Sequence, residues 1–158
     1  MIVAGLGGIV VAAAITFALP GNGMPQGTTN QPAISQVAVS EVGDAVATMS
    51  PGVAVQAAAD ARSCKTPLAN IVLTNAPGAS SGLVRVRSGN YLSPPFMLSN
   101  APQRIAIPFP APYQTGKGTI MIEGAASGAT VTLSPAITVN SAAGAYPINV
   151  WWTPRKSC

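Results

Sequence analysis

The residues that could carry chemistry are few in this chain, and their types exclude most enzymatic mechanisms. Its 158 residues include no histidine, and the acidic residues are only Glu41, Asp44, Asp60 and Glu123. Ser-His-Asp and Cys-His nucleophile systems cannot be assembled, because both need an imidazole base. Glu41 and Asp44 lie three residues apart, but two carboxylates alone do not complete a metal site. The sequence therefore predicts a protein that is not an enzyme and that uses no metal or cofactor.

The two cysteines, Cys64 and Cys158, lack the spacing of a C-x-x-C site. Without histidine and with few carboxylates, they cannot build a zinc site. They are either two free thiols or one disulfide. A bond would close a loop of roughly 95 residues, which the chain-entropy model values at about 4 to 5 kcal/mol. Because such a bond needs an oxidising compartment, it is expected only if this part of the chain lies outside the cytosol.

Arg85 and Arg87 are the first candidates for contact with a partner. They alternate with apolar residues in the segment Leu83–Arg87, so both would lie on one face of a strand. Such a pair could bind an acidic partner or a lipid head group. A solvated sheet face accounts for them equally well.

The second group of candidates lies at the end of the sequence. Trp151 and Trp152 would point to opposite faces of a strand, one into the core and the other towards an interface or a membrane surface. Arg155 and Lys156 follow and could complete a lipid-facing cluster, although an ordinary polar terminus explains them as well.

The charge content limits the classes of partner. Charged residues make up 8% of the chain and its formal net charge is +4, with the basic residues dispersed. Sites that stack single strands need aromatic and basic residues interleaved, and this pattern is absent, so no specific nucleic-acid binding is expected. A surface so poor in charge suits a protein that packs among neighbours in an assembly.

The element that would hold the candidate contact residues near a membrane is the apolar stretch Met1–Leu19. It contains no charge and only one polar side chain, Thr16. At about 1.5 Å per residue, nineteen helical residues span roughly 29 Å, close to a bilayer core. A secretory signal would open with positive charge, yet no Lys or Arg precedes Arg62. A retained transmembrane anchor is therefore favoured over a cleaved signal, with Pro20 and Gly21 ending the helix.

Ala4, Gly8 and Ala12 repeat every four residues along the predicted anchor. Such a row of small residues would let another helix approach closely, unless it only reflects frequent Gly and Ala. Residues 20–33 are rich in Pro, Gly, Asn, Gln and Thr and predict a flexible linker. Membrane orientation stays open, because almost no charges flank the anchor.

Residues 34–158 are predicted to form one β domain. Short apolar or alternating runs are separated by Gly, Pro, Asn and Ser turns, a rhythm that indicates an antiparallel β-sandwich of the jelly-roll or Greek-key type. Val53–Arg62 is expected to be a strand running into a short helix or loop. The predicted strands are Ile34–Val42, Leu68–Thr74, Leu83–Arg87, Tyr91–Leu98, Arg104–Phe109, Thr119–Glu123, Thr130–Leu133, Ile137–Val139 and Ile148–Thr153.

In architecture the chain resembles the minor membrane-associated capsid proteins of tailless icosahedral phages with an internal membrane. The resemblance rests on the uncharged Met1–Leu19 anchor, the charge-poor body and the rhythm of short strands. It implies a membrane-anchored structural protein of a virion, whose β domain lies beneath or within the protein shell. It matches no specific motif and transfers no functional residues.

The expected partners are a lipid bilayer and other protein subunits of a large assembly. One alternative is an accessory subunit of a bacterial membrane complex with a β domain outside the cytosol. A second alternative is an envelope ligand-binding module, for which an exposed aromatic patch would be expected. Under each interpretation the protein is membrane-bound through a single span.

Overall fold

The computed structural model describes residues 31–80, 82–141 and 144–155, which form two antiparallel sheets and a pair of helices. The helices are α1 (Val42–Val46) and α2 (Pro51–Arg62), with 3-10 turns at Val39–Glu41 and Tyr113–Thr115. The strands are β1 (Leu68–Thr74), β2 (Leu83–Ser88), β3 (Tyr91–Leu92), β4 (Phe96–Met97), β5 (Gln103–Pro108), β6 (Lys117–Gly124), β7 (Ala126–Thr132), β8 (Ile137–Ser141) and β9 (Ala145–Trp151).

The strands are distributed over two sheets, as a β-sandwich requires. The first sheet has the order β5-β1-β7-β8, and the second has the order β3-β2-β6-β9, with β4 also paired to β2. The described part of the chain is therefore mainly β, as predicted. The predicted strands from Leu68 onward are confirmed within a few residues of their ends, except that Tyr91–Leu98 forms two short strands, β3 and β4.

The core lies between the sheets and follows directly from the alternation along each strand. Every second side chain points inward and is almost fully removed from water, which stabilises the fold by roughly 1.5 to 3 kcal/mol for each large aliphatic group. On the second sheet these residues are Val84, Val86, Ile120, Ile122, Ile148 and Val150. On the first sheet they are Ala69, Ile71, Leu73, Ile105, Ile107, Ala129 and Val131.

Leu83 is an exception to the predicted pattern. Val84 and Val86 are buried, whereas the side chain of Leu83, which belongs to the same apolar run, is 57% exposed. Leu83 has the same parity as Arg85 and Arg87, so it lies on the outer face of the second sheet. Two adjacent apolar residues on one strand cannot both face the core.

The strand predicted over Ile34–Val42 is wrong. Within this range Gln36 makes one isolated bridge, to Ala69, before the chain turns into α1, and the preceding Ala33 bridges to Ser134 and Trp151. Val37 is buried beside Leu68 while Val39 is 42% exposed, so the apparent alternation is not the two faces of a paired strand.

The strand predicted at Val53 is also wrong, because α2 begins at Pro51 and runs to Arg62. Proline suits the first helical turn, where its missing N–H is not needed, and the alanine run that follows has high helix propensity. The two helices bury their apolar side against Leu68 and Ala106, which lie on the outer face of β1 and β5. They therefore add a partial third layer that covers β1 and β5 of the first sheet.

None of the helices in the described ranges is long and apolar enough to cross a bilayer. The predicted anchor Met1–Leu19, including Ala4, Gly8 and Ala12, lies outside the described residues, as do residues 20–30 of the predicted linker. The division into anchor, linker and β domain stays a prediction.

The two ends of the described chain meet at one end of the sandwich. Ile34 N–H donates to the carbonyl of Trp151 at 2.9 Å, and Trp152 N–H donates to the carbonyl of Gly116 at 2.9 Å. Phe109 N–H bonds the Pro67 carbonyl at 3.1 Å, which places the start of β1 there too. We call this the basal end, formed by residues 31–36, 63–67, 109–117 and 151–155.

Tyr91 lies where the sheets and the helical layer meet, packed against both apolar clusters. Its hydroxyl is buried and has no hydrogen-bond partner among the described residues. Burial raises the pKa of Tyr91 above its usual value of 10, because the phenolate would lose its hydration.

The Tyr91→Phe variant is expected to be more stable than the parent by about 1 kcal/mol, because it removes an unsatisfied buried hydroxyl. The raised pKa favours the neutral phenol in the folded state, so the parent loses stability as pH rises above about 10 and the unfolded chain ionises. The advantage of the variant should therefore grow between pH 9 and pH 11. Urea unfolding of both proteins across that range measures this difference.

Tyr146→Phe is the matched control, since it deletes a phenol hydroxyl from another partly buried tyrosine. The hydroxyl of Tyr91 would have a partner if Tyr91→Phe were less stable than the parent and the free energies of unfolding of both proteins changed in parallel with pH. That outcome would contradict the assignment.

Candidate interaction surface

The outer face of the second sheet carries three of the six candidate interface residues. Register places Arg85 opposite Glu123, Arg87 opposite Met121 and Lys117 opposite Trp151. Three of the residues predicted from sequence, Arg85, Arg87 and Trp151, therefore share one surface across β2, β6 and β9. The helices cover the outer face of β1 and β5 in the first sheet, and their apolar cluster includes no residue of β2, β6 or β9.

Arg87 and Glu123 form an ion pair across β2 and β6 on this face. Arg87 Nε donates to Glu123 Oε1, and Nη2 lies 3.4 Å from Oε2. The hydrogen bond and the charge of Glu123 raise the pKa of Arg87. Glu123 thus partly neutralises the pair of arginines, and Arg85 keeps an exposed guanidinium at the edge of this ion pair.

An apolar pair completes the same face at the end away from the basal end. Leu83 is 57% exposed and its register partner Met97 is 54% exposed. Leu83 lies on the same face of β2 as Arg85, and Met97 lies opposite Leu83 on the neighbouring strand β4. Adjacent exposed apolar side chains bordered by polar groups mark a candidate protein contact surface. We name Leu83, Arg85, Arg87, Met97 and Glu123 the outer patch.

Trp151 and Trp152 separate as the sequence predicts. Trp152 is buried in an aromatic cluster with Phe109 and Tyr113, at ring-centroid distances of 5.1 Å and 6.1 Å. Its indole N–H donates to the Tyr113 carbonyl at 2.7 Å, which satisfies the one polar atom of the buried ring. Trp151 is partly exposed at the basal end.

A shallow depression of about 390 Å³ lies beside Trp151. Thr119 Oγ1 donates to Asn149 Oδ1 at 2.9 Å along its wall, and Lys117 lies opposite the indole. The remaining lining residues are Pro112, Thr115 and Gly118. The surface combines one aromatic ring, one ammonium group and neutral hydrogen-bonding groups, which suits contact with polar head groups or with another protein.

Arg155 is exposed at the basal end, and its backbone N–H donates to the Tyr113 hydroxyl at 2.9 Å. Lys156, the remaining candidate interface residue, lies outside the described residues. The candidate interface therefore divides in two. Arg85 and Arg87 belong to the outer patch, while Trp151 and Arg155 belong to the basal end and Trp152 is a core residue.

Cys64 is held in a left-handed conformation, φ 61°, directly after α2. Its N–H bonds the Ala61 carbonyl at 3.2 Å and Lys65 N–H bonds the Asp60 carbonyl at 2.9 Å, the pattern of a Schellman helix end. Cys64 is disulfide-bonded. Cys158, its predicted partner, lies outside the described residues, so the pairing stays a prediction.

Glu41 and Asp44, the two closely spaced carboxylates, line a small cavity of about 110 Å³ with Arg104. Asn70 and Thr48 lie in the same cavity, and Thr48 Oγ1 accepts a hydrogen bond from Ala106 N–H at 2.9 Å. In the described part of the chain no three Cys, Asp or Glu residues approach closely enough to hold a metal ion. The guanidinium supplies positive charge opposite these acids.

Sequence reasoning missed two features of this surface. Leu83 and Met97 are fourteen positions apart, and only the pairing of β2 with β4 joins them. A cleft of about 270 Å³ between α2 and the sheet edge, lined by Met49, Val53 and Tyr91, depends on a helix that was not predicted over its full length. One indication of the outer patch was present in the sequence: Leu83 alternates in step with Arg85 and Arg87, so it belongs to the same strand face as these polar residues.

Comparisons with protein-family models, with curated proteins and with solved structures give no match to this chain. The role of these surfaces is therefore argued from their own residues.

The Gly118→Ala variant is expected to lose about 1 to 3 kcal/mol of stability, because the added methyl overpacks the basal aromatic cluster. A Cβ at Gly118 would lie 2.5 Å from Pro110 Cβ and 3.1 Å from the Trp152 ring. Gly43→Ala in α1 is the matched control, since nothing lies within 4 Å of its added Cβ and helix propensity favours alanine by roughly 0.5 to 1 kcal/mol. Thermal unfolding should show opposite shifts; two shifts of the same sign would contradict this packing.

Oxidised protein is expected to contain a Cys64–Cys158 disulfide whose reduction lowers stability by about 4 to 5 kcal/mol at most. Peptide mapping without reduction should give one linked pair, and Cys64→Ser/Cys158→Ser should reproduce the stability of the reduced parent. Two cysteines that are alkylated in the native oxidised protein would rule the bond out.

Proposed function

We propose that this chain is a non-enzymatic, membrane-anchored structural protein of a large assembly, most specifically a minor virion component that links a protein shell to a membrane. Met1–Leu19 would be the single membrane span, and the β-sandwich would be the part that contacts other subunits. The proposal includes a jelly-roll or Greek-key topology for the sandwich.

The observation that carries the proposal is the unequal covering of the two sheets. The chain's own helices bury the outer side of the first sheet at Leu68 and Ala106, whereas the second sheet keeps Leu83 and Met97 on the surface. Burying such residues favours association by roughly 25 cal/mol per Å² of apolar area. The outer patch would therefore be the surface on which a neighbouring subunit packs.

The position of the chain's ends supports the same arrangement. Residue 31, where the described chain begins, lies at the basal end, while Leu83 and Met97 lie at the opposite end of the second sheet. An anchor that leads into the basal end would hold the outer patch away from the membrane, where a protein shell would be.

A second candidate is an accessory subunit of a bacterial membrane complex with its β domain outside the cytosol. The disulfide at Cys64 favours it, because disulfides persist in oxidising compartments. In this second candidate the chain would join a bacterial membrane complex and not a virion. The anchor and the outer patch would have the same roles in both.

The membrane anchor is tested with charges placed inside the apolar segment. Leu6→Arg/Val11→Arg should release the full chain from membranes washed with alkaline carbonate, because each arginine costs about 3 kcal/mol in the centre of a span. Thr28→Arg/Thr29→Arg adds the same charge to the predicted linker and should leave the chain membrane-bound. Equal retention of both variants would contradict the anchor.

The same detergent extracts, separated on native gels, test the assembly. The parent should migrate in a multi-protein particle, and Leu83→Ser/Met97→Ser should migrate as a smaller species. A parent that is cleanly monomeric counts against both structural candidates.

A further inference from the structure

We propose that the basal end docks on an anionic membrane surface, with Lys117 and Arg155 near lipid phosphates and Trp151 at the level of the head groups. The inference rests on the proposed function and deepens it, since it assigns which side of the β domain faces the bilayer. It concerns different residues from the outer patch.

The distribution of charge is the first support. Of the described cations, four belong to the basal end or to the helix end that leads into it, and all four are exposed: Arg62, Lys65, Lys117 and Arg155. The one carboxylate near them is Asp60, which lies 3.7 Å from Lys65 Nζ and accepts a hydrogen bond from Gln56 at 2.8 Å. Four cations against one carboxylate leave three net positive charges at this end.

The rest of the described chain is balanced. Arg87 pairs with Glu123, Arg85 lies opposite Glu123 in register, and Arg104 lines a cavity with Glu41 and Asp44. Three cations thus meet three carboxylates there. The net positive charge of the described domain is concentrated at the basal end, although the basic residues look dispersed in the sequence.

The second support is the position of Trp151. Its ring is partly exposed beside the depression of about 390 Å³, next to Lys117 in register and near the exposed Thr115. An indole has an apolar body and one N–H donor, which is why tryptophan is enriched at membrane–water interfaces. Trp152 is buried and does not take part.

The third support is the reach of the chain. The eleven residues 20–30 join the predicted anchor to residue 31 and span at most about 40 Å when fully extended. Because residue 31 lies at the basal end, this end can reach the bilayer surface without any rearrangement of the sandwich. Each basic side chain near an anionic surface raises membrane affinity about fivefold, and salt weakens the effect.

The test uses the full chain reconstituted in lipid nanodiscs, with lipid-borne doxyl groups quenching tryptophan fluorescence. Quenching should be stronger in discs containing phosphatidylglycerol than in discs of phosphatidylcholine alone, and Trp151→Phe should abolish the difference. Lys117→Gln/Arg155→Gln should reduce quenching in anionic discs to the phosphatidylcholine level, a loss of roughly 25-fold in docking equilibrium. Arg85→Gln/Arg104→Gln removes two cations away from the basal end and should have no effect.

Equal quenching in the two lipids, or equal loss in the two double variants, would overturn the proposal. If the chain does not enter nanodiscs at all, the proposed anchor is refuted. In that case, flotation of the same chain with phosphatidylglycerol vesicles tests the docking separately from the anchor. Flotation lost in Lys117→Gln/Arg155→Gln but kept in Arg85→Gln/Arg104→Gln supports it, and no flotation overturns it. Preference for a short DNA duplex over these vesicles at the same salt would overturn the lipid assignment in favour of nucleic acid.

Discussion

The hydrogen bonds and ring contacts of Tyr113 are the interaction on which the arrangement of this domain depends. Its hydroxyl donates to Gln36 Oε1 at 3.3 Å and accepts from Arg155 N–H, while its carbonyl accepts from the Trp152 indole. One residue between β5 and β6 thus joins the first and last described segments. Phe109 and Trp152 pack against the same ring, so the indole bond to the Tyr113 carbonyl is buried, while the two bonds of the hydroxyl are partly buried.

This joining of the chain's ends gives the sandwich two unlike ends and two unlike sides. The basal end collects unbalanced positive charge and a partly exposed tryptophan. The outer patch combines an ion pair with exposed leucine and methionine, while the helices cover β1 and β5 of the other sheet. A structural linker needs such separation, because its contacts with a membrane and with a neighbouring subunit must not compete for one surface. The proposed subunit contact uses the outer patch, and the proposed membrane docking uses the basal end.

Sequence reasoning succeeded where local periodicity and the core agree. Strand β2 alternates along its length and β6 and β9 alternate in their central parts, and the expected division of Trp151 and Trp152 follows from the same period of two. It failed at Ile34–Val42 and Val53, where short apolar patterns suit either a strand or a helix against a sheet. The outcome there was decided by the outer face of β1 and β5, since Leu68 and Ala106 needed an apolar cover that only the helices supply.

By itself the sequence determined the inventory of reactive side chains and most of the strand rhythm of this protein. The absence of histidine, the scarcity of carboxylates and the uncharged first nineteen residues are properties of composition, and they hold in any fold. Tertiary structure decided which distant residues share a surface. Lys65, Lys117 and Arg155 come to one end, and Leu83 meets Met97, only because antiparallel pairing sets strand order and register. Those depend on long-range contacts across the whole core, and no local pattern in the sequence encodes them.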